Sequence, residues 1–373
     1  MKILVLHDQY RPITKGAIGG EDNLVDLEIK LLRESGHDVF DLRNYISGPK
    51  RKFNQIRASS YGSNPLIIKN IKKFKPQIIH AHNMNQYSGF AWMNHTTVPI
   101  YWSLHNYRIF CPISIAWKNG KICTKCRDNG NFESIKNNCN LKLSSLAYSR
   151  SLIFQKSQPE LNIPRMYITS SAKMQASLRN MIPEEKMRIL HNPSFTNPSK
   201  ICETNERNGW LFAGRLTPEK GILELIETWP SNEILDIAGD GPLYSKINEE
   251  IKNKPNIRLI GIYAPTDKEI YMKYKGLIFP SIWLEGSPLV VLDAIAAGTP
   301  VITNNISGAE EIVARSEGGV IIDGNFTTDK LQMAINDVNA NFIKLSANAL
   351  KASKNEFSSS SWIKQLTNIF EEI

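Results

Sequence analysis

Residues 279–304 read FPSIWLEGSPLVVLDAIAAGTPVITN. The order is strand end, loop, helix, turn, strand. Ser287 can cap the helix, Pro288 suits its first position, Gly298 supplies a left-handed stop, and Pro300 opens the next strand. The segment 289–297 is apolar on all sides apart from Asp293, which predicts a buried helix. A carboxylate in such a helix is costly without a partner. Glu285 lies eight positions earlier and is followed by Gly286. Two carboxylates and the amides of 286–289 (Gly286, Ser287, Pro288 without an N–H, Leu289) are thereby expected at the carboxyl end of one strand. In an open α/β sheet that edge binds ligands. Amides suit a phosphate, and carboxylates suit sugar or ribose hydroxyls. A buried helix with one satisfied Asp is the plainer reading of the same residues.

Outward from this stretch the same alternation recurs. Short apolar runs at 3–6, 39–42, 76–80, 99–104, 165–170 and 187–190 read as strands. So do 210–213, 234–238, 257–260, 277–279, 301–303 and 320–322. Helical text separates them, so parallel α/β sheets are expected. An irregular run rich in Asn, Pro and Ser at 193–208 reads as a linker between a domain of residues 1–192 and one of 209–358, with a closing helix at 360–373. A chain of 373 residues, 42% hydrophobic and 22% charged, can build two cores. No run approaches the roughly 18–20 apolar residues of a membrane span, and the first ten residues are too polar for a secretory signal, so a cytosolic protein is expected. No fixed-period repeat is present.

The net charge of +9 is unevenly spread. Residues 1–195 carry 28 Lys and Arg against 13 Asp and Glu, and the rest of the chain is net acidic. Residues 42–75 hold nine basic residues and no acid. Such a face attracts an anionic membrane surface, a pyrophosphate or nucleic acid, or simply keeps the protein soluble. The pattern Ile67, Ile68, Ile71, Phe74 favours a helix core face over a base-stacking surface.

Three further places carry chemistry. After the first strand, Gly16, Gly19 and Gly20 precede an amphipathic helix, which permits close backbone approach to a phosphate but lacks the Gly-x-Gly-x-x-Gly spacing of a nicotinamide site. After the strand 210–213 comes Gly214-Arg215-Leu216, then Lys220-Gly221; a planar fork and a point charge together suit a diphosphate. His105 follows the strand 99–104 where a crossover loop begins. His80 and His82, after an earlier strand, carry less signal. Beyond His105 lie Cys111, Cys123, Cys126 and Cys139 with one tight C-x2-C pair. Four thiolates of this kind can make a structural zinc site, while free thiols or redox work remain the other readings.

The run from Glu285-Gly-Ser-Pro to Asp293-Ala-Ile-Ala-Ala-Gly298-Thr-Pro resembles the signature of the retaining glycosyltransferases of family four, also called glycosyl transferases group 1. The Gly214-Arg215-Leu216…Lys220-Gly221 motif matches that family, and Gly239-Asp240-Gly241-Pro242 resembles another of its glycine turns. The resemblance spans nearly the whole chain. It implies a GT-B fold, two Rossmann-like βαβ domains facing across a cleft, with the last helix crossing back onto the first domain. It implies that Arg215 and Lys220 neutralise the leaving diphosphate, that Glu285 meets the transferred sugar, and that Asp293 holds the ribose. The family's second acid is usually Glu; here it is Asp293, one methylene shorter. Gly19, Gly20 and Gly214 would lie beside the donor, with His105 reaching its sugar from the other domain. A four-cysteine insertion similar to 111–139 recurs in bacterial members.

The implied activity is transfer of a sugar, with retention, from a nucleotide-sugar to a hydroxyl of a saccharide or lipid-linked (undecaprenyl-pyrophosphate type) acceptor in cell-surface polysaccharide biosynthesis. No Asp-x-Asp occurs, so no catalytic cofactor or metal is expected. The basic first domain suggests the inner face of the cell membrane. A nucleotide-sugar epimerase, a degenerate transferase and a non-enzymatic nucleic-acid binder are the alternatives; the intact Arg215/Lys220 and Glu285/Asp293 sets argue against nucleic acid.

Overall fold

The computed structural model describes residues 1–8, 20–43, 63–84, 88–111, 113–130, 132–139, 160–195, 207–262 and 268–372. The expected strand runs are all found, each within one or two residues of the sequence reading. In the first half they are β1 (Lys2–His7), β2 (Asp38–Arg43), β3 (Ile78–Ala81), β4 (Ile100–Leu104), β7 (Met166–Thr169) and β8 (Met187–Ile189). All pair in parallel, in the order β2-β1-β3-β4-β7-β8.

The second half has β9 (Trp210–Ala213), β10 (Leu235–Ala238), β11 (Ile257–Gly261), β12 (Gly276–Phe279), β13 (Val301–Asn304) and β14 (Gly319–Ile322). Their order, β11-β10-β9-β12-β13-β14, is that of the doubly wound dinucleotide fold. Strand order reverses between β9 and β12, so the loops leaving those two strands frame a crevice. These two sheets make the α/β architecture of two Rossmann-like domains.

Each sheet is buried on both faces, which explains why its strands read as continuous apolar runs. In the first domain one face packs around Leu4, Leu6, Ile79, Trp102 and Tyr167. The other packs Ile3, Val5 and Tyr101 against the helix Gly20–Glu34 and against Trp362, Ile363, Leu366 and Phe370 of the helix Ser359–Glu371. The chain's last helix therefore lies on the first sheet. Tyr101 Oη donates to the Phe370 carbonyl at 3.0 Å, and Arg188 pairs with Glu372 at 2.7 Å.

Within the basic segment the helix Pro65–Phe74 buries Ile67 and Ile71 and exposes Lys69, Lys72 and Lys73, which is the core-face reading. Residues 44–62, the expected helix at 141–154 and most of the linker (196–206) lie outside the described residues. Between β4 and β7 the insertion forms a hairpin of β5 (Trp117–Lys118) and β6 (Lys121–Ile122), then short helices Lys125–Asn129 and Phe132–Lys136. Asn119 and Gly120 take positive φ at its turn, as a tight hairpin requires. Among the described residues, no helix is long and apolar enough to cross a membrane.

Candidate active site at the cleft between the two sheets

Lys220 ends a 3-10 turn (Pro218–Lys220) in the loop after β9. Gly221 follows with φ +68°, and a Cβ there would fall 2.2 Å from the Pro280 carbonyl oxygen. Only glycine lets the β9 loop seat against the β12 loop in this way. That seating brings Lys220 Nζ to 2.6 Å from Glu285 Oε1. The same oxygen accepts from Ser281 Oγ at 2.8 Å and Trp283 Nε1 at 3.0 Å. Lys220 and Glu285 are largely buried, with 14% and 11% of their side chains exposed. Lys220 also lies over the rings of Phe279 and Trp283, each centroid 5.8 Å away. Sequence reasoning singled out both ends of this ion pair but not the pair, nor Ser281 and Trp283.

Arg215 differs. It is exposed and leans on Glu219 at 3.4 Å, with Thr217 Oγ1 donating to the same carboxylate at 2.7 Å. The arginine fork is thus held at the mouth while the lysine sits inside. Gly214 turns the chain off β9, its amide bonded to the Ala238 carbonyl at 3.0 Å.

The helix after Glu285 is Leu289–Ala296, with Pro288 at the cap position, and Gly298 takes the left-handed conformation that ends it. Ser287 does not cap this helix, contrary to its sequence reading. Its hydroxyl instead accepts from the Asn192 backbone amide at 3.1 Å, and its carbonyl accepts from Asn192 Nδ2 at 3.0 Å. A residue of the first domain competes successfully for the cap, which local sequence cannot reveal. Asp293 is half-buried, and Val291, Leu292, Ala294, Ile295 and Ala296 are fully covered. Gly286 is packed so that a Cβ would lie 2.0 Å from Ser170 Oγ of the first domain, so this glycine serves close domain approach.

Other contacts also join the two halves across the cleft. Gly20 packs against Leu289: a Cβ on Gly20 would sit 2.6 Å from Leu289 Cδ1. Trp283 joins the first-domain core, with Leu284 packed beside it. Glu311 accepts from the Ala172 and Lys173 amides at 2.8 and 3.0 Å, and Lys173 pairs with Glu310 and reaches the Asn305 carbonyl. Gly19 lies outside the described residues.

His105 leaves the carboxyl end of β4, half-buried, beside Asn106 and the buried Tyr107. Burial raises the pKa of the Tyr107 phenol, and the Glu285 and Glu311 carboxylates add to the effect. Asn106 Nδ2 donates to Glu21 Oε1 at 2.7 Å and to Asn83 Oδ1 at 3.0 Å. Beneath His105 lies a histidine cluster. His82 Nδ1 is 2.9 Å from His105 Nε2, and the rings are parallel within 5°. Glu28, His80 and His82 bring their ligand atoms within 4.8 Å of one another. His80 is committed to Glu28 at 2.5 Å and to Ser103 Oγ at 2.8 Å, so the three are more fully described as a hydrogen-bonded set than as an open metal site.

Cys111, Cys123, Cys126 and Cys139 form no disulfide with one another, and all four line one small cavity of about 10 Å³ with Ile113, Trp117 and Lys118. Burial and the neighbouring thiols push the Cys126 thiol up to about 12, and Cys111 is raised for the same reasons. Lys118 Nζ lies 3.6 Å from Cys139 Sγ. Four thiols gathered around one cavity fit a divalent, thiophilic cation, which binds thiolates.

Two parallel six-stranded sheets joined across a cleft, with a Lys–Glu pair at the switch point of the second, are the layout of the GT-B fold. Residues 196–355, somewhat under half of the chain, match the model of the family described as "Glycosyl transferases group 1". The capsular polysaccharide biosynthesis glycosyltransferase CapM of Staphylococcus aureus is 28% identical over 204 residues, 51% of this chain and 52% of that protein. The UDP-Gal:alpha-D-GlcNAc-diphosphoundecaprenol alpha-1,3-galactosyltransferase of Escherichia coli is 32% identical over 133 residues, covering 32% and 34%. The chain thus spans between a third and about half the length of these curated relatives. The crystal structure of Anabaena HepE in complex with UDP superposes over 100% of both chains with a TM-score of 0.63 at 17% identity, which supports the fold.

Proposed function

We propose that the chain is a retaining glycosyltransferase that moves a hexose from a nucleotide-sugar to a hydroxyl of a lipid-linked saccharide in cell-surface polysaccharide biosynthesis. The observation that carries this reading is the Lys220–Glu285 pair at the β9/β12 switch point. In this reading the donor diphosphate takes over Lys220 and gains the Arg215 fork, and the Glu285 carboxylate turns to sugar hydroxyls. Asp293 meets the ribose, and the amides of 286–289, with Gly20 and Gly214 alongside, accommodate the donor. The C1–O bond to the diphosphate breaks as the bond to the acceptor oxygen forms on the same face. The acceptor's proton passes to the departing phosphate, and a nucleoside diphosphate leaves. Lys220 and Arg215 stabilise the charge that develops there, the task a divalent metal performs in other transferases.

The acceptor class rests on the names of two relatives, one of capsule biosynthesis and one acting on a diphosphoundecaprenol-linked sugar. The basic first domain gives such a lipid an electrostatic landing face on the cytoplasmic leaflet. In the same reading the cysteine insertion is a structural zinc site. Zinc assay of the purified chain should find one equivalent, lost together with thiol protection on chelation; a metal-free chain contradicts this part.

The activity is tested by incubating the chain in excess EDTA with nucleotide-sugars and a polyprenyl-diphosphate-linked saccharide. The expected product is the acceptor plus one hexose with the donor's anomeric configuration. Consumption of nucleotide-sugar with free sugar as the only product would favour the epimerase-like alternative, and strict dependence on added manganese would contradict metal independence.

A further inference from the structure

We propose that Glu28 and His82 are positioning residues for His105: the buried chain Glu28–His82–His105 fixes His105 as its Nε2–H tautomer, so that a bare Nδ1 is its acceptor for a hydroxyl in the cleft. The proposal rests on the reading above and adds to it the role that the family resemblance implies for His105, reaching the donor sugar from the first domain.

Three contacts fix where the protons lie. Glu28 lies on the helix Gly20–Glu34 and is completely buried, as are His80 and His82 to within 1%. An ionised carboxylate only accepts hydrogen bonds. Glu28 Oε1 therefore takes the Nδ1–H of His80 at 2.5 Å, and Oε2 faces Nε2 of His82 at 3.2 Å. That second contact is close without being a directed hydrogen bond, and Glu28 Oε2 and His82 Nε2 are otherwise buried without a hydrogen-bond partner. A proton on His82 Nε2 is the arrangement that leaves neither atom facing a like lone pair. A neutral imidazole has one N–H, so His82 Nδ1 is then bare. The next contact, His82 Nδ1 to His105 Nε2 at 2.9 Å, needs one proton, and only His105 can supply it. His105, if neutral, then has no proton left for Nδ1.

The charge states agree. Burial would raise the Glu28 pKa, but His80 and His82 outweigh it and hold the carboxyl well below its usual range. Burial lowers His82 to about 4, against the pull of Glu28. Burial followed by repulsion from His82, His7 and His80 keeps His105 well below an ordinary histidine. His7 stands edge-on to His82, 6.1 Å between centroids, and is itself tied to Asp22 at 2.5 Å, so it does not compete for the His82 nitrogens. A carboxylate held behind an imidazole is a general way to set which ring nitrogen faces the reaction. Here the carboxylate acts through a second imidazole.

The test is selective 15N labelling of histidine in the full chain and multiple-bond 1H–15N correlation near pH 7.5, with and without EDTA. The expected spectrum shows His82 and His105 as neutral Nε2–H tautomers, unchanged by EDTA. In Glu28→Gln, whose side-chain amide can donate as well as accept, the direction is lost. His105 should then give averaged nitrogen shifts, and turnover should fall 10-fold or more at unchanged nucleoside-diphosphate affinity. His105 found as the Nδ1–H tautomer or as imidazolium overturns the proposal. So does a His105 signal untouched by Glu28→Gln, or histidine shifts that move with EDTA, which would put a metal on Glu28, His80 and His82. If Glu28→Gln fails to fold, the wild-type spectrum decides alone. The spectrum does not depend on turnover, so a failed transferase assay with the expected tautomers counts against the activity and not against the relay.

Discussion

Lys220 and Glu285 form one ion pair, 2.6 Å between Nζ and Oε1, although 65 positions separate them in the chain. Each was singled out for a different part of a donor, the diphosphate and the sugar. In the proposed reading their contact makes diphosphate arrival and release of the carboxylate one event. Lys220→Ala and Glu285→Gln should therefore each lower kcat/KM by about 10²–10³. They should differ in binding: Lys220→Ala weakens nucleoside-diphosphate affinity, whereas Glu285→Gln leaves it nearly unchanged. Calorimetry with the nucleotide and steady-state rates on the same preparations separate the two.

Gly221 is the hinge of that pairing. Its φ of +68° and the 2.2 Å approach of a Cβ to the Pro280 oxygen leave no room for a side chain. Gly221→Ala should cost about 2 kcal/mol or more and move Lys220 away from Glu285. Denaturant unfolding and nucleotide titration check both parts; an unchanged midpoint would contradict the local geometry.

The domain contact rests on Glu311 and Gly308. A Cβ on Gly308 would lie 2.9 Å from Ser171 Cβ of the first domain and 1.6 Å from the Gly286 carbonyl oxygen of its own, and Glu311 accepts from the first two amides of the first domain's Ala172–Leu178 helix beside its cap Ser171. Glu311→Ala should lose about 1 kcal/mol of capping. Gly308→Ala should open the cleft, read as a larger radius of gyration in solution scattering and a raised KM for the donor.

Acid should destabilise the first domain through its buried histidines. His82 is lowered by burial to about 4 from an ordinary 6.5. A depressed folded pKa means the unfolded chain binds the proton first. The stabilisation is complete above about pH 6.5 and is lost as pH falls towards 4, roughly 3 kcal/mol from this residue. Glu28, with its pKa also lowered, extends the loss to still lower pH. The groups facing this cluster are Glu28 and Asp22 from the first helix, His7 from β1, His80 from β3 and His105 after β4. Thermal midpoints should fall between pH 7 and 4.5, and His82→Phe should flatten that dependence.

Cys126→Ser should lower the thermal midpoint and remove bound zinc without changing nucleotide affinity, because the cysteine cavity is lined by the insertion and not by the β9 and β12 loops. Metal analysis beside a melting curve checks both.

The strands and the fold class were readable because each parallel strand is buried on both faces and so appears as an unbroken apolar run between turn residues. The 279–304 stretch was readable for the same reason, since its helix stop at Gly298 and its acids are local features. What sequence missed was made by distant residues. Asn192 takes Ser287 away from its cap, Ser281 and Trp283 converge on Glu285, and Glu28 reaches His80 from 52 positions away. The Ser281 and Trp283 contacts had one local signal, a hydroxyl and an indole between a strand's end and the acid. The burial of His80 and His82 had none, because a histidine at a strand end reads the same whether it faces solvent or a carboxylate.

The most direct test of the donor site is a thermal-shift panel of nucleoside diphosphates and nucleotide-sugars in excess EDTA, run on the wild-type chain and on Lys220→Ala. One base should stabilise the wild type by about 2–3 kcal/mol at a hundredfold excess over its Kd, its sugar form should stabilise further, and both shifts should shrink in Lys220→Ala. No shift with any nucleotide, or equal shifts in the two proteins, would contradict a donor site at the Lys220–Glu285 pair.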